Sequence, residues 1–424
     1  MNLLLLNQCF YPDVVATAQQ LTDLAVGLRN EGHEVTVITS DRGYDNPARR
    51  FPRREVWNGI NIIRISSLAI GKETRWRRAL NFASFLTVCA GRLALQPRYD
   101  AVIALTSPPL ISFLGSMFTR IKGGKFFFWV MDLNPDEAVA AGWLRQHSRS
   151  ARIFARLLRS SLLHAEHVIA LDHFMKKRIV EKGIEDGLVT VLPPWSYNNI
   201  VAFDPQGREA FRKEHHLDDR FVVMYSGNHS PCHPLDTLLQ SARLLTSEKQ
   251  IVFCFVGGGS EQAKVQDFAR VNNLENIHCL PYQKLDQLSA SLSAADLHAV
   301  VMGDDFVGIV HPSKIYNILA VGSPFLYIGP EHSHLSEIVA SLSSEPAAPA
   351  YTARNGDAET VARQILQAAS HSDLTAPRTV PLIAKAYARE LLLPRMIRLL
   401  ESVKAEETQP ASEQSQASVM SAAR

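Results

Sequence analysis

Residues 304–330 read DDFVGIVHPSKIYNILAVGSPFLYIGP. The stretch spells a short polar loop, a helix opened by a proline, a glycine stop and an apolar strand. Pro312 suits the first helical position, where its missing N–H costs nothing. Ile315, Ile318 and Leu319 recur at helical spacing. Ala320 to Pro324 ends the helix, and Phe325–Ile328 continues as a buried strand. A helix N-terminus aimed into a cleft offers free N–H groups and the positive end of its dipole, which suits a diphosphate. Ser313 and Lys314 add a hydroxyl and an ammonium at the same place. An ordinary βαβ helix start with a surface lysine fits these residues, taken alone, about as well.

Outward from this stretch, strand and helix patterns alternate. Leu3–Leu6, Glu34–Thr39, Ile60–Ile65, Asp100–Leu105, Lys125–Val130, His167–Leu171 and Leu188–Leu192 read as strands rich in β-branched and aromatic residues. Pro193-Pro194-Trp195 breaks the pattern, and the polar stretch through His216 is read as an inter-domain linker. The alternation restarts at Phe221–Tyr225, Val252–Val256, Ile277–Leu280, Leu297–Val301 and Phe325–Ile328. Such alternation means parallel, doubly wound sheets, here two of them. The expected domains are 1–196 and 197–383. A helical stretch at 384–404 follows and packs back on the first domain, and residues 405–424 form a disordered tail too poor in large apolar residues to bury surface.

At 424 residues the chain is long enough for two or three domains with large cores. Hydrophobic residues make up 46% and charged residues 20%, a globular balance, and the net charge of +2 does not point to nucleic acid. The 5 cysteines are scattered, with no spacing of a disulfide framework or a zinc site, which suits a reducing cytoplasm. Four leucines after Met1-Asn2 are too few for a secretory core and read as the first strand. No run approaches the ~18 apolar residues of a membrane-spanning helix.

Several segments, in order, resemble the GT-B glycosyltransferases of family 4. These are LNQCFYPDVVATAQQLTDLAVGLRNEGHEVTVIT (6–39), MDLNPDEAVAAG (131–142), YSGN (225–228) with His233, FVGGGSE (255–261), LPYQ (280–283) and HPSKIYNILAVGSP (311–324). Across residues 1–404 the chain is most similar to the bacterial subgroup that builds O-antigen, capsule and exopolysaccharide. The resemblance implies two Rossmann-like halves facing across a cleft and a nucleotide-diphosphate sugar bound to the second half. It also implies a glycan acceptor on the first and retention of anomeric configuration; the basic face from Arg145 to Arg159 suits a lipid-linked acceptor. Helix N-termini, Lys314 and loop N–H groups can stabilise the departing charge with neither metal nor cofactor. The physical reading agrees, because ligands in open α/β sheets sit outside the carboxyl ends of the strands, where nearly all these segments lie.

On the donor side, Gly227 and Asn228 follow a strand, with His229 and His233 in the same loop. Relatives often carry an arginine and a lysine there; Ser230, Pro231 and Cys232 stand here instead, so the histidines and Lys314 are left to supply charge. Gly257 and Gly258 cap the next strand and are not a dinucleotide fingerprint. Three glycines in a row suggest close approach of a bound group, or simply a turn. Tyr282 is placed to stack on a base, or to pack. The family's ribose-binding glutamate falls on Asn317, which keeps hydrogen bonding and loses the charge. Asp304 or Asp305 takes the earlier acidic role, and Gly308 begins the segment resembling the family's G-L-V. On the acceptor side are Asp13 and Thr17 in the first loop, and Asp132 and Asp136 after the KFFFWV strand. Asp132 is read as a base or sugar ligand, and Asp136 as a helix cap or ligand. Asp132 and Asp305 are the catalytic candidates.

Arg145, Arg149, Arg152, Arg156 and Arg159 fall on one helical face, and Lys72, Arg75, Trp76, Arg77 and Arg78 precede an apolar helix at 82–95. Basic residues with interleaved aromatics suggest peripheral contact with the anionic inner membrane from the cytoplasmic side. A solvated basic face explains them equally. A nucleotide-sugar epimerase on the same scaffold, or a non-catalytic nucleotide-sugar-binding protein, is the alternative to a transferase.

Overall fold

The computed structural model describes residues 1–44, 48–68, 70, 75–196, 201–342, 349–371 and 378–408. The first half is an eight-stranded sheet built from β1 (Asn2–Leu6), β2 (Glu34–Ser40), β3 (Arg54–Trp57), β4 (Ile60–Ile65), β5 (Ala101–Ala104), β6 (Lys125–Trp129), β7 (His167–Ala170) and β8 (Val189–Val191). Their order is β3-β4-β2-β1-β5-β6-β7-β8, parallel except for the β3–β4 pair. The second half has β9 (Phe221–Asn228), β10 (Ile251–Gly258), β11 (Ile277–Leu280), β12 (Leu297–Val301), β13 (Phe325–Ile328) and β14 (Ala350–Ala353). Their order is β11-β10-β9-β12-β13-β14. Each sheet reverses its winding once, between β1 and β5 and between β9 and β12, and loops leaving the carboxyl ends there form a crevice.

The strands are apolar because both faces are covered by helices. Leu3 to Leu6 and Val102 to Ala104 are fully buried. Leaving β12, Gly303–Pro312 crosses to the other half. Phe306, Ile309 and Val310 belong to the same apolar cluster as β1, β5 and β6. Leu133 N–H donates to Ile309 C=O at 2.8 Å, and Arg178 Nε donates to Val307 C=O at 2.6 Å. Gly308 has φ +67°, and a Cβ there would stand 2.6 Å from the Phe174 backbone. The donor-side role expected for Gly308 therefore gives way to a tight contact between the halves.

Near Ser196 and Tyr387 the outgoing and returning chain run side by side. Ser196 N–H donates to Tyr387 C=O at 2.7 Å. Trp195 packs against Trp129 in a tilted pair with ring centroids 5.6 Å apart and donates through Nε1 to Asp23 at 2.9 Å, which also binds Arg389. The helix Arg389–Thr408 then lies on the helix Ala16–Asn30, burying Leu392, Met396 and Leu400 in the first core.

Four features differ from expectation. The polar segment after residue 196 is not a free linker throughout: Pro205–Glu214 is a helix, N-capped by Asp204, whose Arg208 and Arg212 bind Asp296. The final helix extends to Thr408, past the expected tail boundary at 405, because Ala405-Glu406-Glu407 are good helix formers; residues 409–424 of the expected tail lie outside the described residues, as does Lys72. Strands β9 and β10 run on through the glycines, pairing Gly227 with Gly257 and Asn228 with Gly258. The helix of the opening stretch spans Lys314–Ala320, with Ser313 as N-cap, so Pro312 lies outside it. His311, held by the first half, keeps the preceding residues out of the helix. Among the described residues, no helix is long and apolar enough to cross a membrane.

Met396→Ala removes a fully buried side chain from the first core. It is expected to cost about 2–5 kcal/mol, read as an earlier urea transition of the whole chain; an unchanged transition would show that the returning helix carries no stability.

Candidate active site

The second half brings Lys314 to Gly227. Lys314 Nζ is buried and has no hydrogen-bond partner among the described residues. It lies 3.7 Å from the centroid of the Tyr225 ring, and a Cβ on Gly227 would stand 3.2 Å from it. Gly227 thus leaves the space in which the ammonium sits. Burial pulls the Lys314 pKa down to about 7, because an ammonium stripped of water is costly to hold.

The histidines of the same loop do not supply charge. His229 has Nδ1 3.3 Å from Gly258 C=O, while its Nε2 is buried and unpaired. Burial lowers it to about 4, helped by Lys314 and opposed by the Gly258 bond. His233, bound to Val301 C=O at 2.9 Å, is held well below the usual range by burial and then by Lys314. Both are neutral near pH 7, so the expectation that they share the work of neutralising a diphosphate is corrected: Lys314 stands as the cation here.

The glycine run after β10 has a reason inside the protein. A Cβ on Gly257 would meet Gly227 C=O at 2.1 Å, and one on Gly259 would meet His229 C=O at 2.3 Å. The close approach expected of a bound group is made by the neighbouring loop. Gly258 supports Tyr282, whose hydroxyl donates to Gly258 C=O at 3.1 Å while 43% of the residue stays exposed. Asn228 is exposed beside Gly227, and its C=O accepts from Tyr225. Ser313 and Asn317 are half-buried at the start and one turn into the Lys314 helix. That helix is only 7 residues long, so the local charge rests on Lys314 more than on a macrodipole.

Asp304 is held by Asn355 Nδ2 at 3.0 Å, and Asp305 stays exposed on the same turn. Asp305 has none of the burial that tunes a catalytic carboxylate, in contrast to Asp132.

In the first half Asp132 follows β6 and lines a small cavity with Thr106, Leu110, Phe128 and Asn134. Its N–H donates to Thr106 Oγ1 at 3.3 Å. Burial, then the neighbouring Glu137 carboxylate, pushes Asp132 up to about 8. Glu137 is raised too, by burial, against donors from Asn134 Nδ2 at 2.8 Å and from Cys232 Sγ, which reaches across the cleft at 3.7 Å. Glu137 was missed by the sequence reading, although its place in the 131–142 segment offered the signal. Asp136 pairs with Lys182 at 2.7 Å, which commits its carboxylate to structure; Pro135, not Asp136, is the N-cap. Asp13 accepts from Tyr44 N–H at 3.0 Å, and Thr17 lies half-buried in the first turn of the next helix.

The helices Arg75–Ala94, Ile111–Lys122 and Arg149–His164 are neighbours on one face of the first sheet. Arg145 precedes the last of these, whose N-cap is Ser148, so the basic face runs from Arg149. Arg149, Arg152 and Arg156 are exposed, together with Ile153 and Phe154, while Arg159 donates to Lys182 C=O at 3.0 Å. Trp76 and Leu80 project from the first of these helices.

Known proteins share this fold. A family model described as "Glycosyl transferase 4-like domain" matches residues 16–195, and one described as "Glycosyl transferases group 1" matches residues 207–374. The Escherichia coli (strain K12) protein designated colanic acid biosynthesis glycosyl transferase WcaI is 25% identical over 356 residues, 80% of this chain and 86% of that one. Sucrose-phosphate synthase from Thermosynechococcus elongatus shares the fold with a TM-score of 0.73 at 14% identity, covering 96% of this chain and 100% of that one. HepE from Anabaena, in complex with UDP and glucose, does so with a TM-score of 0.69 at 16% identity, covering 95% and 100%.

Removing the unpaired charge is expected to stabilise the protein. The folded pKa of Lys314, about 7, lies below the ordinary lysine value of 10.5, so the unfolded chain holds that proton more tightly. The penalty is full below about pH 7 and fades as pH rises toward 10.5. Lys314→Met is therefore predicted to raise Tm by a few degrees at pH 6 and by much less at pH 10. Equal shifts at both values would contradict the assignment.

Proposed function

Because the chain belongs to the GT-B glycosyltransferases of family 4, we propose that it moves a sugar from a nucleotide-diphosphate donor in its second half to a lipid-linked glycan in its first. The setting is bacterial surface polysaccharide synthesis, and the anomeric configuration is retained. The observation that carries this reading is the buried, unpaired Lys314 ammonium beside Gly227. A diphosphate supplies the anion that ammonium lacks. Uridine diphosphate sugars are the first class to test, since HepE, of like fold, binds UDP-glucose.

Transfer on this scaffold is positioning plus stabilisation of a departing charge. Lys314 neutralises the leaving diphosphate, and the Gly227–Asn228 backbone approaches it. Tyr282 flanks the base and Asn317 the ribose. Burial and the neighbouring Glu137 carboxylate raise Asp132, which favours a protonated carboxyl that donates a hydrogen bond to a sugar oxygen rather than taking a proton. The departing phosphate oxygen accepts the proton of the acceptor hydroxyl. No step in this scheme calls for a metal or a cofactor.

The reading is tested by assaying transfer from a panel of nucleotide-diphosphate sugars to lipid-linked acceptor. Lys314→Ala is expected to lower kcat/KM by roughly 10²–10³. Asp132→Asn keeps the donating geometry and is expected to stay within about tenfold of wild type, while Asp132→Ala loses more. Release of nucleotide from none of the donors would sink the proposal, and an Asp132→Asn enzyme as inactive as Asp132→Ala would make Asp132 a base.

The exposed Arg149, Arg152, Arg156, Ile153 and Phe154 favour docking on an anionic lipid surface, which brings a lipid-linked acceptor to the cleft. Full-length protein is predicted to co-sediment with phosphatidylglycerol vesicles, less so as salt rises. Joint Arg152→Glu and Arg156→Glu substitution is expected to abolish the binding; salt-independent binding unaffected by those changes would contradict it.

A further inference from the structure

The two halves also meet at a cluster outside the transfer chemistry. Asp172, just after β7, presents Oδ2 2.7 Å from His311 Nδ1 and 3.4 Å from His334 Nδ1. The three side chains are 6%, 1% and 7% exposed. The imidazoles stack, with centroids 3.9 Å apart at 15°. One carboxylate cannot balance two stacked imidazolium ions, so at least one ring is neutral and keeps a nitrogen lone pair able to ligate.

We propose that Asp172, His311 and His334 bind a divalent transition-metal ion, of the class of zinc, which clasps the first half to the second. Two imidazole nitrogens and a carboxylate oxygen are a donor set that zinc takes with water in the fourth position. One ligating atom from each residue lies within 4.8 Å of the others. Bonds of ~2.1 Å in tetrahedral geometry need donors roughly 3.4 Å apart. The Asp172–His311 pair, at 2.7 Å, opens by less than an ångström to accept the ion. The rings rotate out of their stack so that both in-plane lone pairs converge.

Tyr316 is the supporting group. Its hydroxyl lies 2.6 Å from His311 Nε2. Without metal, His311 donates through Nδ1 to Asp172 and accepts from Tyr316 through Nε2. With an ion on Nδ1, the ring proton resides on Nε2 and donates to the Tyr316 oxygen. A hydroxyl serves both states, since it donates and accepts. His173 and Glu337, 3.2 Å apart and more than half exposed, mark the solvent side by which an ion enters. The ion performs no chemistry on the sugar; it fixes the angle between the halves.

The test uses untagged full-length protein stripped by a chelator and titrated with cobalt(II) and zinc(II). One equivalent of cobalt(II) is expected to give visible d–d bands that zinc(II) abolishes, and zinc(II) is expected to raise Tm by several degrees. His334→Gln loses both effects, while His173→Gln keeps them. Absence of the bands in wild type, or equal bands in His334→Gln, overturns the proposal. Should His334→Gln fail to fold, Tyr316→Phe is expected to weaken cobalt binding by roughly tenfold; unchanged affinity there overturns it as well. Neither readout depends on sugar transfer.

Discussion

The segment Gly303–Pro312 leaves one sheet and is held by the other, and the site depends on that crossing. Phe306, Ile309 and Val310 are buried in the first half's core although they belong to the second half's chain. Two inter-half hydrogen bonds, the Gly308–Phe174 contact and the Asp172–His311 bond fix its path. Burial alone would raise the Asp172 carboxyl, but the bond and charges from His311 and His334 outweigh it and hold it at about 2. Lys314 is the third residue after His311. Where the segment docks therefore decides where the ammonium points.

The consequence is a site carrying a cost until it is filled. A buried ammonium over Tyr225 and two raised carboxyl groups oppose folding near neutral pH, and the two lowered histidines do so only in acid. The large apolar cores under the two sheets offset this. Such an arrangement gains most when a diphosphate meets the ammonium, because a charge already stripped of water interacts strongly with its partner.

Much of the fold is legible in the residue pattern. Runs such as EVTVIT and FFFW are long, apolar and β-branched or aromatic, and both sheets place them in their interiors. β3 escaped because Arg54–Trp57 is a half-exposed edge strand without that signature. Its signal lay in the turn: Asn58 and Gly59 have φ of +48° and +73°, the pair expected in a tight hairpin. At the candidate site, Lys314 and Gly227 stood out because a lysine and a glycine are the residue types a diphosphate site calls for. Glu137 did not, since its meaning comes from Asp132 and from Cys232 across the cleft. Gly308, Gly257 and Gly259 were misread because a glycine announces close approach without saying what approaches. Asp172, His311 and His334 are too far apart in sequence to form a spacing motif, and only the docking of the halves unites them.

The central claim is that the Lys314 ammonium and the Gly227 cradle form the diphosphate site. A crystal structure of the protein with a nucleotide diphosphate tests it directly. The account predicts that the pyrophosphate lies against the Gly227–Asn228 backbone with an oxygen about 2.8 Å from Lys314 Nζ. A pyrophosphate bound elsewhere in the cleft, with Lys314 still unpaired over Tyr225, would contradict it.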